Sequence, residues 1–257
     1  MSLLTNYKIV FSYDGTHFLG SQKQNNLRTV SSEFEIALNT IFKDIEKIIF
    51  SGRTDTGVHA NEQVLNFKTS LTIPTDKLKY ALNNVLPKDI YITEIFHVDE
   101  HFNSRFSVKS RQYQYIFTTD ELPVYLKSYV SHYSLNIDNN LITKYLSLIT
   151  GQHYFDIFRK IGSAEKTTLR NVMATKFFSE QYKLLTDSEK HIRLYKIEIT
   201  ANSFLYRMVR NVVGCLFEIL NNKITLEEFE EAFKNRQKQF NFASASPQGL
   251  YLNKIEY

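Results

Sequence analysis

The segment SGRTDTGVHA, Ser51–Ala60, gathers side chains that can do chemistry into one stretch. It places the guanidinium of Arg53 two residues before the carboxylate of Asp55, and an imidazole at His59. Burial favours the neutral form of a carboxyl group, and a neutral acid is a poor nucleophile. Because a nearby guanidinium stays cationic and favours the ionised acid, this spacing suits a nucleophilic carboxylate kept charged in a dry pocket. The residues alone slightly favour an ordinary loop salt bridge, which contributes about 0–1 kcal/mol if exposed.

The letters DTG from Asp55 to Gly57 also suggest the loop of an aspartic protease. That chemistry needs two carboxylates that share one proton, and the chain has a single DTG, so only a homodimer could supply the second. A cation at Arg53 would favour two ionised carboxylates and spoil the shared proton. The sequence therefore disfavours this class of enzyme.

Composition indicates an ordinary globular protein. The 257 residues are 43% hydrophobic and 23% charged, which is enough chain to bury a sizeable core in one or two domains. No apolar run approaches the roughly 18 residues of a membrane span, and the N-terminal segment lacks the features of a secretory signal. The single cysteine, Cys215, allows no internal disulfide and no thiolate metal cage. These features favour a cytoplasmic protein.

Familiar cofactor and nucleophile motifs are missing from the sequence. It has neither G-x-x-x-x-G-K-[ST] nor G-x-G-x-x-G after a strand, and H-E-x-x-H and C-x-x-C are also absent. The seven histidines show no metal-ligand spacing, and no serine or cysteine lies in a nucleophile elbow. Fingerprints for nucleotide cofactors and spacings for metal ligands are thus missing, and the acid at Asp55 remains as the candidate for catalysis.

Charge is weakly positive overall, with a formal net charge of +4 and a pI near 8.9. The segment 103–119 mixes cations with aromatic rings and contains no acid, a combination that RNA-binding surfaces use for phosphates and unstacked bases. A strand whose basic residues face water would have the same composition. The residues concerned are Arg105, Lys109, Arg111, Phe106, Tyr113 and Tyr115.

Strands and helices alternate along the chain, which predicts an α+β fold. Apolar residues at helical spacing predict a helix after Thr29, its N-cap, with Val30, Phe34 and Leu38 on the buried face. A second helix is expected to be capped by Thr75 and to stop before Pro87. Further helices are predicted in NNLITKYLSLITG, SFLYRMVRNVVGCLFEIL and TLEEFEEAFKN, the last with a Thr225/Glu228 capping box. Predicted strands are YKIVFSYDG, IEKIIFS, EQVLNFKTS, DIYITEIFHV, RQYQYIFTT, RNVMATKFFS, YKLLTD, IRLYKIEITA and GLYLNKIEY.

No low-complexity linker divides the sequence. The two halves of the alternating pattern join between Glu100 and Arg105, which predicts domains at 1–103 and 104–257. The first would carry the loop with Asp55, and the second would complete the active-site cleft.

The segment SGRTDTGVHA resembles the signature of the tRNA pseudouridine synthase A (TruA) family, and the resemblance runs nearly end to end. SYDGTHFLGSQKQ is similar to the family's N-terminal strand and turn, LPKDI and FNSRFSVKSRQYQYIF to its middle, and FLYRMVRNVVG and SPQGLYLNKIEY to its last helix and strand. The resemblance implies two ferredoxin-like or RRM-like halves, with mixed antiparallel sheets flanked by helices around a central basic cleft. It also implies isomerisation of uridine to pseudouridine at positions 38 to 40 of the tRNA anticodon arm, without cofactor or metal.

Carried over by motif, the resemblance implies roles for five residues. Asp55 is the nucleophile, which attacks either the ribose C1′ or the uracil C6. Arg53 orients Asp55 and helps to hold RNA where the base leaves. Tyr113 stacks on the target uracil, and its hydroxyl could assist removal of the C5 proton. Arg210 pairs with the catalytic acid, and Leu250 lines the uracil pocket.

Two other polar residues of these motifs are expected to be structural, namely Tyr115 in the core and His59 in the loop. The resemblance further implies a homodimer with one tRNA lying across both subunits. We expect basic residues to bind the phosphates of that tRNA and to offset the cost of extruding the target base. The candidates are Lys23, Lys109, Arg111, Arg159, Lys160 and Lys166.

The chain departs from the family pattern at two places. The turn after the first strand reads Gly20-Ser21-Gln22, where the family usually has G-W-Q, and Gln112 replaces a common basic residue. Alternative functions are therefore a related synthase with different RNA targets and a non-catalytic tRNA-binding protein.

Overall fold

The computed structural model describes residues 4–159, 166–187 and 189–257, which divide into two compact units. The first unit contains the described residues up to Lys109 together with Tyr251–Tyr257, and the second contains Ser110–Leu250. The first unit thus extends past the boundary predicted at residue 103 and also includes a segment from the far end of the sequence. Across these described ranges, no helix is both long and apolar enough to cross a membrane.

The described residues form both helices and strands, which confirms the α+β fold class. The α-helices are α1 (Val30–Asn39), α2 (Thr75–Val85), α3 (Asn139–Leu148), α4 (Met208–Leu220) and α5 (Leu226–Asn235). The strands are β1 (Thr5–Tyr13), β2 (Ile49–Phe50), β3 (His59–Thr69), β4 (Ile90–Val98), β5 (Ser110–Thr118), β6 (Ser131–His132), β7 (Gly151–Tyr154), β8 (Leu169–Lys183), β9 (His191–Ala201) and β10 (Leu250–Glu256).

The first unit has the strand order of a ferredoxin-like fold. Its central strand β1 is antiparallel to β3 on one side and to β4 on the other, and β2 is also antiparallel to β3. With α1 between β1 and β2, and α2 between β3 and β4, the chain follows the β-α-β-β-α-β sequence. The strand β10 lies parallel to β3, with Tyr251 opposite His59. This parallel pair lies at the start of β3, next to the acidic loop.

The core of the first unit is built on the alternation of β1. Tyr7, Ile9 and Phe11 are fully buried, and the Phe11 ring lies 4.5 Å from the ring of Phe34 on α1. Alternate residues of a strand share one face, so these three side chains point toward the helical layer. The predicted buried face of α1 is confirmed, since its Val30, Phe34 and Leu38 are buried.

The two helices of the first unit begin in different ways, one with a side-chain N-cap and the other with a proline. The Thr29 side chain accepts a hydrogen bond from Ser32 N–H at 3.2 Å, which confirms Thr29 as the N-cap of α1. The predicted cap at Thr75 is wrong, because α2 begins at Thr75 itself and its N-cap position is Pro74, without a side-chain cap. Proline fixes the entry angle of the chain instead, with a φ of −52°. The predicted stop before Pro87 is confirmed, as α2 ends at Val85.

The second unit contains an antiparallel sheet in the order β5-β9-β8-β7, with β6 parallel to β5. Two segments were predicted as separate strands, RNVMATKFFS and YKLLTD. The first segment and the first two residues of the second belong instead to the single 15-residue strand β8, which ends at Lys183. The helix α4 begins at Met208, later than predicted, because Arg207 has a φ of 60° and cannot continue a helix. The Thr225/Glu228 capping box of α5 is confirmed.

Candidate active site

The acidic loop, residues 51–58, starts where β2 ends and is bonded to β3 from its first residues. The Ser51 hydroxyl donates to the Gln63 side-chain oxygen at 2.8 Å, and Ser51 N–H donates to the Val64 carbonyl at 2.8 Å. The Gln63 amide in turn donates to the Gly52 carbonyl at 3.2 Å. Ser51 and Gln63 are both buried, so these bonds are protected from water and fix the path of the loop.

Thr54, which directly precedes Asp55, is bonded through its backbone and its side chain. Thr54 N–H donates to the Ser21 hydroxyl at 2.8 Å, and the Thr54 carbonyl accepts from Ser21 N–H at 3.1 Å. The Thr54 and Tyr13 hydroxyls lie 2.7 Å apart and share a hydrogen bond. All three residues are buried, so the residue before the acid has little freedom to rotate.

Asp55 opens a tight turn that returns the chain to β3. Val58 N–H donates to the Asp55 carbonyl at 3.2 Å, and Gly57 has a φ of +76°, a conformation that favours glycine. A Cβ on Gly15 would lie 2.0 Å from the Val58 carbonyl oxygen, so the turn packs directly on the backbone after β1. Asp55 is half-buried, which leaves part of its side chain open to solvent and to a substrate.

Arg53 is exposed, and among the described residues it forms no ion pair with Asp55. The bonds from Ser21 and Tyr13 hold Thr54 on the inside of the loop, while its neighbour Arg53 lies on the outside. The spacing of Arg53 and Asp55 therefore does not produce the internal salt bridge that the sequence suggested, and the guanidinium is open to a ligand.

His59 lies at the start of β3 and is almost fully buried. Its Nδ1 accepts a hydrogen bond from Gly15 N–H at 3.0 Å, and its ring stacks on the ring of Tyr251 with centroids 4.7 Å apart. The Asp14 carboxylate lies 3.2 Å from the same Nδ1. Because Nδ1 cannot accept from Gly15 and donate to Asp14 at once, we assign the bond to the backbone N–H. The position agrees with the structural role expected for His59.

The other candidate site residues belong to the second unit. Tyr113 on β5 is buried, and its ring meets Phe204 edge-on with centroids 5.0 Å apart. Arg210 on α4 is buried rather than a surface cation, and its Nε donates to the Ala245 carbonyl at 2.7 Å. Leu250 is buried at the start of β10. Burial of each limits the motion of its side chain.

Tyr115, the second tyrosine of the RQYQY segment, is fully buried in the core of the second unit. Its hydroxyl lies 3.0 Å from both the Ser131 hydroxyl and the Ser246 carbonyl. Burial raises its pKa well above the usual range. These contacts support core packing for Tyr115.

The basic candidates differ in what they already bind. Lys23 is exposed and forms an ion pair with Glu35, and the Lys109 Nζ donates to the Tyr257 carbonyl at 3.0 Å. Arg111 is half-buried, with Nη1 3.4 Å from the Asn202 carbonyl. Among the remaining candidates, Arg159 and Lys166 are exposed and Lys160 lies outside the described residues.

Sequence reasoning missed the residues that hold the acidic loop. Ser21, Tyr13 and Gln63 lie from 8 to 42 positions away from Asp55 in the sequence, and no local pattern connects them to it. The one available signal was Ser21, a small hydroxyl residue at a position where the family usually has tryptophan.

Comparison with known proteins places this chain in a family. The tRNA pseudouridine synthase family model matches residues 9–107 and 146–257. A tRNA pseudouridine synthase A from Thermoanaerobacter sp. (strain X514) is 38% identical over 256 residues, covering 99% of this chain and all of the relative. The enzyme of that name from Acetivibrio thermocellus is 34% identical over 255 residues, with the same coverage. A crystal structure of a Cbf5-Nop10-Gar1 complex aligns with 82% of this chain and 44% of its own, at 14% identity and a TM-score of 0.33. On the family match and the full-length relatives, the chain belongs to the tRNA pseudouridine synthase family.

Proposed function

We propose that this chain isomerises uridine to pseudouridine at positions 38 to 40 of the tRNA anticodon arm, with Asp55 as the nucleophile. The conversion of uridine in tRNA follows from membership of the family and from relatives that match the whole chain. The observation that carries the assignment to Asp55 is the acidic loop, in which a half-buried carboxylate follows the fixed residue Thr54 and opens a turn closed by the bond from Val58 N–H to the Asp55 carbonyl.

The reaction requires no net gain or loss of atoms. The bond between N1 of uracil and C1′ of ribose breaks, the base rotates, and C5 bonds to C1′. The hydrogen on C5 then leaves as a proton, and N1 takes up a proton. A carboxylate at Asp55 can serve by adding to C1′ or to C6, and both routes lead to the same product.

The geometry of the acidic loop suits such a nucleophile. A reacting group must be held close to its attack geometry, because small displacements cost large factors in rate. The buried bonds of Ser51 and Thr54 supply that constraint through the backbone, while the partial exposure of Asp55 leaves access for an extruded base.

Four further residues complete the proposed site. Arg53, exposed beside the acid, binds a phosphate next to the extruded nucleotide. Tyr113 stacks on the target uracil, and its hydroxyl assists removal of the C5 proton. Arg210 keeps the catalytic acid ionised, and Leu250 lines the uracil pocket. For these last three the support is the family motif, together with their buried positions.

The same proposal covers partners and location. We expect the protein to act on tRNA as a homodimer in the cytoplasm, without cofactor or metal. Phosphate contacts from Lys23, Lys109 and Arg111 would then add to the contact from Arg53.

The test is pseudouridine mapping of tRNA treated with the wild-type protein, with Asp55→Asn and with the control Asp76→Asn. Asp76 lies exposed in the first turn of α2, so its loss should leave the product unchanged. Pseudouridine at positions 38 to 40, absent with Asp55→Asn, is the expected result. Product at other positions would indicate a synthase with different targets. Bound tRNA without any product would indicate a non-catalytic tRNA-binding protein.

A further inference from the structure

The short segment Gly20–Ser21 connects the acidic loop to the N-terminus of α1. The Gly20 carbonyl accepts from Val30 N–H at 3.3 Å, and the Ser21 carbonyl accepts from Ser31 N–H at 3.0 Å. These are two of the backbone donors that a helix start leaves without intrahelical partners. The N-terminus of α1 therefore holds the segment Gly20–Ser21 in position.

The Ser21 hydroxyl accepts a hydrogen bond that the Ser21 backbone does not accept. Because the Ser21 carbonyl is engaged by the helix, the hydroxyl provides the acceptor for Thr54 N–H, at 2.8 Å. Ser21 is 2% exposed, so water is a poor substitute for this hydroxyl. A buried N–H without an acceptor would be unfavourable, and the loop would be expected to move to relieve it.

The second bond between these residues acts on the acid more directly. Ser21 N–H donates to the Thr54 carbonyl, and that carbonyl shares a planar peptide unit with the Asp55 nitrogen. Fixing the carbonyl therefore fixes the plane from which the Asp55 side chain projects. Gly20 has a φ of +89°, and a Cβ there would lie 2.9 Å from the Thr54 carbonyl oxygen, so the close approach depends on glycine.

We propose that Ser21 is a positioning residue for Asp55, acting through its two hydrogen bonds to Thr54. Tyr13 supports the same residue from the other side, through the bond between the two hydroxyls. The inference rests on the proposed function, since it assigns Ser21 a role in the rate of the step that Asp55 carries out.

The experiment compares Ser21→Ala with Thr69→Val in the full-length protein. Thr69 is a buried hydroxyl residue of the same unit, bonded to Asp44 at 2.7 Å at the far end of β3 from the acidic loop. The measurements are the single-turnover rate of pseudouridine formation at saturating protein, the Kd for tRNA and the melting temperature.

We expect Ser21→Ala to lower the single-turnover rate by about 10-fold to 100-fold, as for a small displacement of a reacting group. The Kd for tRNA should stay within about twofold, because Ser21 is buried and its hydroxyl is already bonded to Thr54 N–H. Thr69→Val should lower the melting temperature without this loss of rate. Ser21→Thr, which keeps a hydroxyl, should recover part of the rate.

A second variant keeps the proposal testable if the Ser21→Ala protein does not fold. Tyr13→Phe removes only the hydroxyl that meets Thr54, and it should also reduce the rate at constant Kd. In the double variant the two losses should be less than multiplicative, because both act on Thr54. A wild-type rate in Ser21→Ala and Tyr13→Phe would overturn the proposal, as would an equal loss in Thr69→Val. A wild-type protein without any product would instead refute the proposed function, and the two failures are thus distinguishable.

Discussion

At the scale of single residues, different side chains of the acidic loop fix the backbone and carry the positive charge. Buried bonds from Ser51 and Thr54 fix the backbone on the approach to Asp55, while Arg53 takes part in none of these bonds and is exposed. A loop built in this way can hold its acid before RNA arrives. Its cation remains available for a phosphate, which it can bind without first breaking an internal ion pair.

The exposed position of Arg53, outside the bonds that fix the loop, predicts the salt dependence of tRNA binding. Replacing Arg53 by Ala should reduce the slope of log affinity against log salt by about 0.7–0.9, the value for one phosphate contact. Lys23→Ala should change it by less, because Lys23 already pairs with Glu35. Binding isotherms at several salt concentrations provide the measurement. Equal slopes for wild-type protein and Arg53→Ala would contradict the phosphate contact.

The two tyrosines of β5 give a second prediction at this scale. Tyr113→Phe keeps the ring against Phe204 but removes the hydroxyl, so tRNA affinity should hold while the rate falls by about 100-fold. Release of tritium from uridine labelled at C5 reports that step. Tyr115→Phe is the matched control, and it should lower the melting temperature but not the rate, since its hydroxyl is buried in the core. A normal rate in Tyr113→Phe would remove the hydroxyl from the mechanism.

At the scale of elements, the ends of the helices are held by different means. Thr225 caps α5 through a reciprocal bond with Glu228, whereas α2 relies on Pro74. Thr225→Ala should therefore lower the free energy of unfolding by about 1 kcal/mol. Thr75→Ala should change it by less than about 0.5 kcal/mol, because alanine is a good helix former and no cap is lost. Urea titrations of both variants make the comparison, and similar losses would argue against the observed caps.

The connection between α1 and β2 predicts a pH effect. Hydrogen bonds from Ser70 and Thr69 lower the pKa of Asp44 from 3.8 to about 2. A lowered pKa in the folded state stabilises the protein above the unfolded value, and that contribution is lost as the pH falls through about 2. Asp44→Asn should therefore be less stable than wild-type protein at pH 5. The difference should shrink between about pH 4 and pH 2, as followed by thermal melts.

The faces, caps and starts of the helices show which features could be predicted from the sequence. Periodicity found the buried face of α1 and the capping box of α5, because both signals lie within a few residues. It misplaced the cap of α2 and the start of α4, where a proline and the left-handed Arg207 decide the outcome. The loop with Asp55 was singled out by its residue types, and its proposed role came from the family resemblance. Its support from Ser21 was not predicted, since that contact joins segments that only the fold brings together.

At the scale of the whole molecule, the first unit depends on residues that are remote in sequence. Tyr251 stacks on His59, and β10 pairs with β3 beside the acidic loop. Tyr257 then anchors the strand, with its ring 4.4 Å from the Lys8 Nζ and its hydroxyl donating to the Ser104 carbonyl at 3.0 Å. The acidic loop therefore owes part of its surroundings to the last strand.

A variant that ends at Leu250 tests this dependence. It should lose the parallel partner of β3 and leave that edge open, so limited proteolysis should cut the first unit sooner. Tyr257→Ala, which removes only the anchor, should show a smaller increase in cleavage. Unchanged protection in the truncated variant would mean that β10 contributes little to the first unit.

The place of β10 in the first unit also bears on biosynthesis. A ribosome releases most of the first unit early, then the whole of Ser110–Leu250, and only afterwards the strand that covers the start of β3. During that interval the nascent chain has Asp55 but not the ring of Tyr251 beside His59. The surroundings of the acidic loop are thus completed only once β10 has been synthesised, and a polypeptide that stops before this strand would lack the ring that stacks on His59.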